Sequence, residues 1–178
     1  MRKLLAAVSV AMAALIGAAG SWHARSNTDG WREITWPFPR DGWPSGRAFH
    51  CAAAACGEEV EVYVRPKLGF CNCDSGVADD DEVDRVADLD MISPRFAPLE
   101  AGRVIRLADM RGRSRAYDLN MPDGSRHAAV GIAVSHRCDL VVAAAQGQGT
   151  ATVVQRVALE FLGSDALTQW LKSVLAGS

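Results

Sequence analysis

The cysteines of this chain constrain its fold more than any other feature of the sequence. Four of the five form a cluster with four, fourteen and one residues between them: Cys51, Cys56, Cys71 and Cys73. The chain begins with the basic segment Met1–Lys3 and an apolar, alanine-rich stretch up to Gly20, a pattern typical of an export signal. Disulfides form and persist in exported proteins, so we expect these cysteines to form disulfides. In a cytosolic protein the same cluster would suggest a zinc site.

The N-terminal apolar stretch is about as long as a signal-peptide core and shorter than the roughly 20 residues of a membrane-spanning helix. We therefore predict a cleavable signal peptide over residues 1–24. Small residues at positions 17–20 and at Ala24 offer cleavage points, but none forms an Ala-x-Ala site, so an uncleaved anchor is the alternative. The expected location is the periplasm or the extracellular medium, with membrane contact only through an uncleaved N-terminal segment.

Removal of that segment changes the formal charge from −2 to −4, because 17 basic and 21 acidic residues remain. A mildly acidic chain lacks the net basic charge of a general nucleic-acid binder, so we expect no nucleic-acid partner. About 150 residues remain, enough for one domain with a hydrophobic core. We predict an extended arm rich in Trp and Pro at residues 25–45 and a single α+β domain at residues 46–178.

The predicted arm carries several aromatic residues among prolines at a density that no helix tolerates. These aromatic residues are Trp31, Trp36, Phe38 and Trp43. Burial against the domain is the commoner fate of such side chains and is our prediction. An exposed surface for a partner or a sugar is the alternative.

Periodicity predicts most elements of the domain. Glu58–Arg65 alternates apolar and polar residues, which is typical of a half-buried strand that Pro66 ends or confines to an edge. Acidic residues then open a short amphipathic helix from Asp79 to Ile92. Four more strands follow, separated by turns at Arg111–Gly112, Pro122–Gly124 and His136–Asp139: Val104–Leu107, Ser114–Leu119, Ala128–Val134 and Leu140–Ala145.

The C-terminal region, Gln155–Leu175, has a helical apolar stripe that is interrupted at Gly163. Ser164 can cap a second helix, so we predict two helical pieces or one kinked helix. Sequential antiparallel pairing is the simplest topology for the strands. The predicted fold class is α+β, an antiparallel sheet with a short acidic helix and a packed C-terminal helix, stapled by disulfides.

The last third of the chain resembles PsbP/Mog1-like proteins. The likeness rests on the segment Arg115–Leu175, in which the strands Val130–Val134 and Leu140–Ala143 precede the helical segment Val157–Leu162. These elements resemble the closing hairpin and the C-terminal helix of that family. The resemblance implies an antiparallel sheet backed by helices, in a family of assembly and adaptor proteins rather than enzymes. The cysteine cluster is not part of that pattern.

The four clustered cysteines can pair in three ways. A bridge across the single residue between Cys71 and Cys73 would be strained, so we expect each disulfide to join one of Cys51 and Cys56 to one of Cys71 and Cys73. Closing a loop of about 15 to 20 residues would contribute roughly 3 kcal/mol.

Two other roles for the cluster remain open. The thiolates could bind zinc or copper(I), with His50 and Asp74 as further ligands, although only the first cysteine pair has the spacing of common zinc sites. A thiol-redox role is the second alternative, although the chain has no Cys-x-x-Cys motif. We expect no cofactor.

Cys138 makes the number of cysteines odd. It precedes the apolar run that starts at Leu140, so we predict a buried free thiol at the start of a strand. One alternative is a nucleophile activated by His136 and Arg137, and another is a disulfide to one cysteine of the cluster.

The charges are unevenly distributed, because Asp74–Asp90 is strongly acidic and Arg95–Arg137 is basic. Arg111, Arg113 and Arg115 alternate along a predicted strand, so they would share one face on which an acidic protein could dock. One alternative is that these arginines lie on a solvated sheet edge, where their charge prevents pairing with other chains. Another is that the acidic and the basic segment neutralise each other in the fold.

The chain has no recognisable catalytic motif, and we predict no catalytic residues. The function predicted from the sequence is that of an exported, non-catalytic accessory protein with a protein partner in the periplasm. Periplasmic handling of copper or zinc by the cysteine cluster and His50 is the alternative.

Overall fold

The computed structural model describes residues 30–69 and 73–176, so the predicted signal peptide and Cys71 lie outside the described residues. The described residues form one antiparallel sheet of eight strands with helices on both faces, which confirms the predicted α+β class. The strands are β1 (Trp31–Ile34), β2 (Arg47–Cys51), β3 (Val60–Lys67), β4 (Phe96–Pro98), β5 (Arg103–Leu107), β6 (Met110–Asn120), β7 (Arg126–His136) and β8 (Asp139–Gly147). The helices are α1 (Ala53–Cys56), α2 (Asp80–Val86), α3 (Leu89–Ile92), α4 (Ala151–Leu162) and α5 (Asp165–Ala176). None of the helices in these ranges is long and apolar enough to cross a lipid bilayer.

The strand order is β1-β2-β3-β8-β7-β6-β4, and β5 also pairs with β6. Strands β5 to β8 pair in sequence through antiparallel hairpins, as predicted. Strands β1 to β3 form a second sequential unit, which joins the first where β3 pairs with β8. Pro66 lies beyond the last β3 residue that pairs with β2, so β3 is locally an edge there and tolerates a proline.

Strands β4 and β5 are two halves of one edge. Both pair antiparallel with β6, β4 through Pro98 opposite Tyr117 and β5 through Arg103 opposite Ser114. Four residues, 99–102, connect these two strands, whereas only two β6 residues lie between Tyr117 and Ser114. The segment 99–102 therefore bulges out of the edge. Bulges and short strands are common devices that keep a sheet edge from pairing with other chains.

The two faces of the sheet carry separate hydrophobic cores. Helices α4 and α5 cover one face and pack against residues such as Val62, Ile132 and Ala143. Helices α2 and α3, together with the segment after β1, cover the other face and pack against residues such as Tyr63 and Val142. Because both faces are covered, β7 and β8 are largely buried, which explains their almost continuous apolar sequences.

Aromatic residues hold the N-terminal segment against both faces. Trp31 of β1 stacks on Phe161 of α4 with ring centroids 4.1 Å apart. Trp36 and Phe38 lie on the opposite face, where their rings pack edge-on against Tyr63 with centroid distances of 6.3 and 4.8 Å. Within the described part of the predicted arm, residues 31–34 thus form a strand of the sheet, and the segment after that strand crosses the second face.

The C-terminal helices follow local signals. Thr150 caps α4 by accepting a hydrogen bond from the Val153 amide at 3.4 Å, and the predicted interruption at Gly163 separates α4 from α5. The predicted side-chain cap by Ser164 is wrong. Its Oγ is buried and has no hydrogen-bond partner among the described residues, whereas its carbonyl accepts the Thr168 amide at 2.9 Å.

The predicted helix from Asp79 to Ile92 is two helices. Asp79 caps α2 through a 3.0 Å hydrogen bond from the Glu82 amide, as the acidic start of the segment indicated. The helix then breaks at Asp88, which has a left-handed φ of 59°. This break turns the Asp88 carboxylate towards two buried cations of β3, Arg65 and Lys67, a reason that lies outside the local pattern.

The predicted turn at Arg111–Gly112 is also wrong, because both residues lie inside β6. The chain instead turns at Ala108 and Asp109, and Ala108 has a left-handed φ of 53°. Gly112 marks close packing rather than a turn, since a Cβ at this position would collide with the backbone carbonyl of Ala133. The turn predicted at Pro122–Gly124 joins β6 to β7 as expected.

Candidate functional site

The described residues form two disulfides, Cys51–Cys56 and Cys73–Cys138. The predicted pairing of Cys51 or Cys56 with Cys71 or Cys73 is therefore wrong. Cys51 ends β2 and Cys56 ends the short helix α1, so the chain folds back locally and brings their Cα atoms to 6.1 Å. The two disulfides indicate an oxidising environment, as expected of a protein that lies outside the cytosol.

Cys138 is not the buried free thiol that we predicted. It lies in the tight turn between β7 and β8, where it bonds to Cys73 across 65 residues of sequence. The alternative that Cys138 pairs with a cysteine of the cluster is the one observed. The same bond excludes Cys138 as a free nucleophile in this state.

The alternative metal-ligand set is not assembled in this structure. Cys51, Cys56 and Cys73 are disulfide-bonded and offer no thiolate, while Cys71 lies outside the described residues. His50 instead places its Nε2 2.8 Å from the Glu59 carboxylate. Within residues 30–69 and 73–176, no three His, Cys, Asp or Glu side chains are grouped to hold a metal ion.

The predicted arginine face exists, but α2 covers most of it. Arg113 donates to the Asp80 carboxylate at 2.6 Å and to the Gly102 carbonyl at 3.2 Å. The Gly102 amide donates to Asp80 at 2.8 Å, and this hydrogen bond, with that of Arg113, lowers the pKa of Asp80. Asp80 and Arg113 thus pin the bulge between β4 and β5, so Arg113 has a structural role.

Arg115 is engaged in the same way. Its Nη1 lies 2.7 Å from the Asp84 carboxylate, which also accepts a hydrogen bond from the Tyr117 hydroxyl at 2.5 Å. Burial and the adjacent Asp84 raise the pKa of Tyr117 above its ordinary value, so the phenol stays protonated and donates. Of the two alternatives for the arginines, mutual neutralisation with the acidic helix therefore describes Arg113 and Arg115.

Arg111 differs from its two neighbours. It is exposed, and it forms no ion pair with any residue in the described part of the chain. Its cross-strand neighbour in β5 is Arg106, which is also exposed. Two like charges directly opposite one another on one face of a sheet repel, so this position favours an anion between or beside them.

Arg111 lines an open cleft of about 460 Å³ at the end of the second face. One wall is the segment 73–78, which starts at Cys73, and the other is formed by β5, β6 and the end of β7. The lining includes Cys73, Asp74, Val104, Arg111, Arg113, Ser135 and Arg137, so three guanidinium groups accompany one carboxylate. We call this space the arginine cleft; it combines guanidinium groups, hydroxyls and the apolar side chain of Val104, which is 66% exposed.

The Cys73–Cys138 bond positions the wall of the arginine cleft. It fixes the segment 73–78 to the β7–β8 turn, and the Gly69 amide donates to the Asp139 carboxylate at 2.6 Å on the same turn. Gly76 lies against Ser135, where a Cβ would collide with the serine hydroxyl. The cleft therefore depends on a covalent contact between distant parts of the chain.

The second face also carries a buried cluster of charged side chains that no sequence pattern indicated. Asp88 accepts hydrogen bonds from Arg65 at 2.7 Å and Lys67 at 2.6 Å, and Asp41 binds the Arg65 guanidinium through both oxygens. The hydrogen bonds from Arg65 lower the pKa of Asp41 to about 2. The cluster ties the N-terminal arm, β3 and the α2–α3 break together, so its role is structural.

A second polar group lies at the opposite end of this face. Gln146 donates to Glu61 at 3.0 Å, and its carbonyl oxygen lies 3.1 Å from the His127 ring. Tyr63 donates to Glu61 at 2.5 Å, and burial raises the pKa of this phenol above its ordinary value. These side chains satisfy one another across β3, β8 and β7, and the alternating pattern of β3 was the only signal for them.

Comparisons with known proteins identify no family for the chain. No protein-family description matches, and no curated protein matches. Among solved structures, the fold is similar to the crystal structure of PA94, a Pseudomonas aeruginosa protein of unknown function, with a TM-score of 0.42 and 12% sequence identity. That similarity covers 77% of this chain and 85% of PA94.

Proposed function

We propose that this chain is an exported, non-catalytic accessory protein of the periplasm that binds an acidic segment of a protein partner in the arginine cleft. The observation that carries this proposal is the exposed Arg111, which faces the cleft while the neighbouring arginines are held by α2. The export pattern at residues 1–24 and the two disulfides support the periplasmic location.

The charge arrangement supports an anionic partner. Arg106 and Arg111 repel each other across the β5–β6 pair, and a carboxylate beside both guanidinium groups relieves that repulsion. The lining of the cleft holds three arginines and one carboxylate, that of Asp74, so its basic side chains outnumber its acidic one. Guanidinium groups bind carboxylates through paired hydrogen bonds, so acidic side chains are the expected contacts.

The apolar part of the cleft supports a peptide rather than a bare ion. Val104 is 66% exposed and stands beside Arg113 in the paired strand, on the same face as the arginines. An apolar side chain between two acidic ones in a partner would cover Val104 while the acids reach Arg106 and Arg111. The proposed partner therefore presents acidic and apolar residues in close succession.

Capture of partners from periplasmic extract tests this proposal. The wild-type chain and its Arg111→Ala variant are each used as bait, and Arg32→Ala is the matched control. Arg32 is also an exposed arginine in a strand, but it lies in the edge strand β1, far from the cleft in the strand order. We expect a partner that Arg111→Ala loses at least tenfold and Arg32→Ala retains, with weaker binding at high salt. Equal capture by both variants would show that the arginine cleft is not the binding surface.

A further inference from the structure

The two disulfides differ in their access to solvent. Cys51 is fully buried, and Cys56 is half-buried and packs against the first hydrophobic core. Cys73 is exposed and lines the arginine cleft, while its partner Cys138 is half-buried in the β7–β8 turn. Thiol–disulfide exchange requires a thiolate to reach a sulfur atom, so access alone separates the two bonds.

We propose that the Cys73–Cys138 bond is an exchangeable disulfide and that the arginine cleft selects anionic thiols to react with it. The incoming thiolate attacks Sγ of Cys73 from the cleft. A new sulfur–sulfur bond forms, the Cys73–Cys138 bond breaks, and Cys138 leaves as a thiolate. A second anionic thiol then displaces Cys73, which gives a small-molecule disulfide and the reduced protein, so two thiols are oxidised as one protein disulfide is reduced.

The selectivity follows from the charges that surround the path of attack. The cleft that exposes Cys73 carries the guanidinium groups of Arg111, Arg113 and Arg137 against the one carboxylate of Asp74. Arg137 directly precedes the leaving sulfur of Cys138. Positive charge attracts a thiolate that bears a second negative group, and it stabilises the thiolate that leaves. The substrate class is therefore a thiol with an adjacent carboxylate, such as a cysteine next to acidic residues.

This activity is separate from the stability that the disulfide contributes. Closure of a long loop affects the equilibrium between the oxidised and reduced protein, whereas exposure of Cys73 and the charge of the cleft affect the rate of exchange. The inference also goes beyond the proposed partner binding, because a small thiol suffices for the reaction. Initial rates under a large excess of thiol are therefore the relevant measurement.

The test uses three small thiols of different charge on the full exported protein: mercaptoacetate, 2-mercaptoethanol and 2-aminoethanethiol. All samples carry Cys71→Ala, so that no fifth cysteine exchanges. The reaction is quenched with acid, and loss of each disulfide-linked peptide is followed by mass spectrometry. We expect Cys73–Cys138 to react at least tenfold faster than Cys51–Cys56 with every thiol, because Cys73 is exposed whereas Cys51 is buried and Cys56 is half-buried.

The Arg111→Ala variant tests the selectivity. Two unit charges about 7 Å apart in water interact strongly enough to change a rate roughly threefold. Relative to its rate with 2-mercaptoethanol, the variant should therefore react about threefold more slowly with mercaptoacetate and about threefold faster with 2-aminoethanethiol. For each thiol, the ratio of the Arg111→Ala rate to the parent rate cancels the intrinsic reactivity of that thiol. Arg32→Ala is the control and should change neither rate.

Two results would overturn the inference. One is equal reduction of both disulfides, and the other is a thiol preference that Arg111→Ala leaves unchanged. Either result would leave the partner-capture experiment to be judged separately, because binding of an acidic segment involves no thiol. Conversely, equal partner capture by Arg111→Ala and Arg32→Ala, together with the expected exchange rates, would refute the proposed function alone.

Discussion

The Cys73–Cys138 disulfide should stabilise the folded chain more than the Cys51–Cys56 disulfide does. The first joins residues 65 apart in sequence, and the second joins residues 5 apart. A cross-link stabilises a protein mainly because it restricts the unfolded chain, and the restriction grows with the length of the closed loop. The two bonds therefore provide a comparison of loop length within one protein.

The expected magnitudes come directly from these separations. The loop-entropy relation gives about 4 kcal/mol for the Cys73–Cys138 loop and about 2 kcal/mol for the Cys51–Cys56 loop at 25 °C. The difference of about 2 kcal/mol corresponds to roughly 4 to 8 °C in the melting temperature of a domain of this size. The cost of the side-chain changes themselves is similar for the two pairs, because each replaces two sulfur atoms.

Urea unfolding of two double variants, Cys73→Ala with Cys138→Ala and Cys51→Ala with Cys56→Ala, measures this difference. Both carry Cys71→Ala, and the four-cysteine parent is the reference. Free energies extrapolated to water are compared rather than midpoints alone, because loss of a long cross-link also raises the dependence on urea. If removal of Cys51–Cys56 costs as much as removal of Cys73–Cys138, the loop-entropy reasoning is refuted.

Three further changes test other parts of the structure. Asp88→Asn should lower the free energy of unfolding by about 3 kcal/mol in urea titrations, because it leaves Arg65 and Lys67 without the carboxylate that they share. These two cations are only 2% and 5% exposed. A loss below about 1 kcal/mol would contradict the argument from burial. Gly112→Ala should lower stability by about 2 kcal/mol in thermal melts followed by circular dichroism, because the new Cβ forces β6 away from β7, and unchanged melting would contradict the close approach. Stability should also fall as the pH drops from about 4 to about 2, because the pKa of Asp41 is about 2 in the folded state and 3.8 ordinarily. The stability that Asp41 contributes is therefore present above its ordinary pKa and is lost as the folded protein takes up the proton. Asp41→Asn should flatten this part of the pH profile of stability, and an unchanged profile would exclude Asp41 as the cause.

Patterns within a few residues predicted several elements correctly. Asp79 caps α2 because an acidic side chain at that position reaches an amide three residues later, and the stop at Gly163 divides α4 from α5. The turn at Pro122–Gly124 likewise depends only on the backbone preferences of its own residues. Such features need no knowledge of distant contacts.

The candidate site was predicted only in part. Alternation correctly placed Arg111, Arg113 and Arg115 on one face, since side chains of a strand alternate between its two sides. Which arginine stays available depended on the position of α2, which brings Asp80 and Asp84 to Arg113 and Arg115. A pattern in β6 contains no information on where a helix from another part of the chain will lie.

The sequence by itself determined the fold class, the oxidised state expected of an exported protein, and the faces on which strand residues lie, because these follow from composition and from the short-range geometry of the backbone. The tertiary structure alone decided that Cys138 bonds to Cys73 and that Asp88 breaks a helix to meet Arg65. It also decided that Arg111 lines an open cleft. Each of these contacts joins residues more than 20 positions apart, and their proximity results from the packing of the whole sheet and its helices rather than from any local preference.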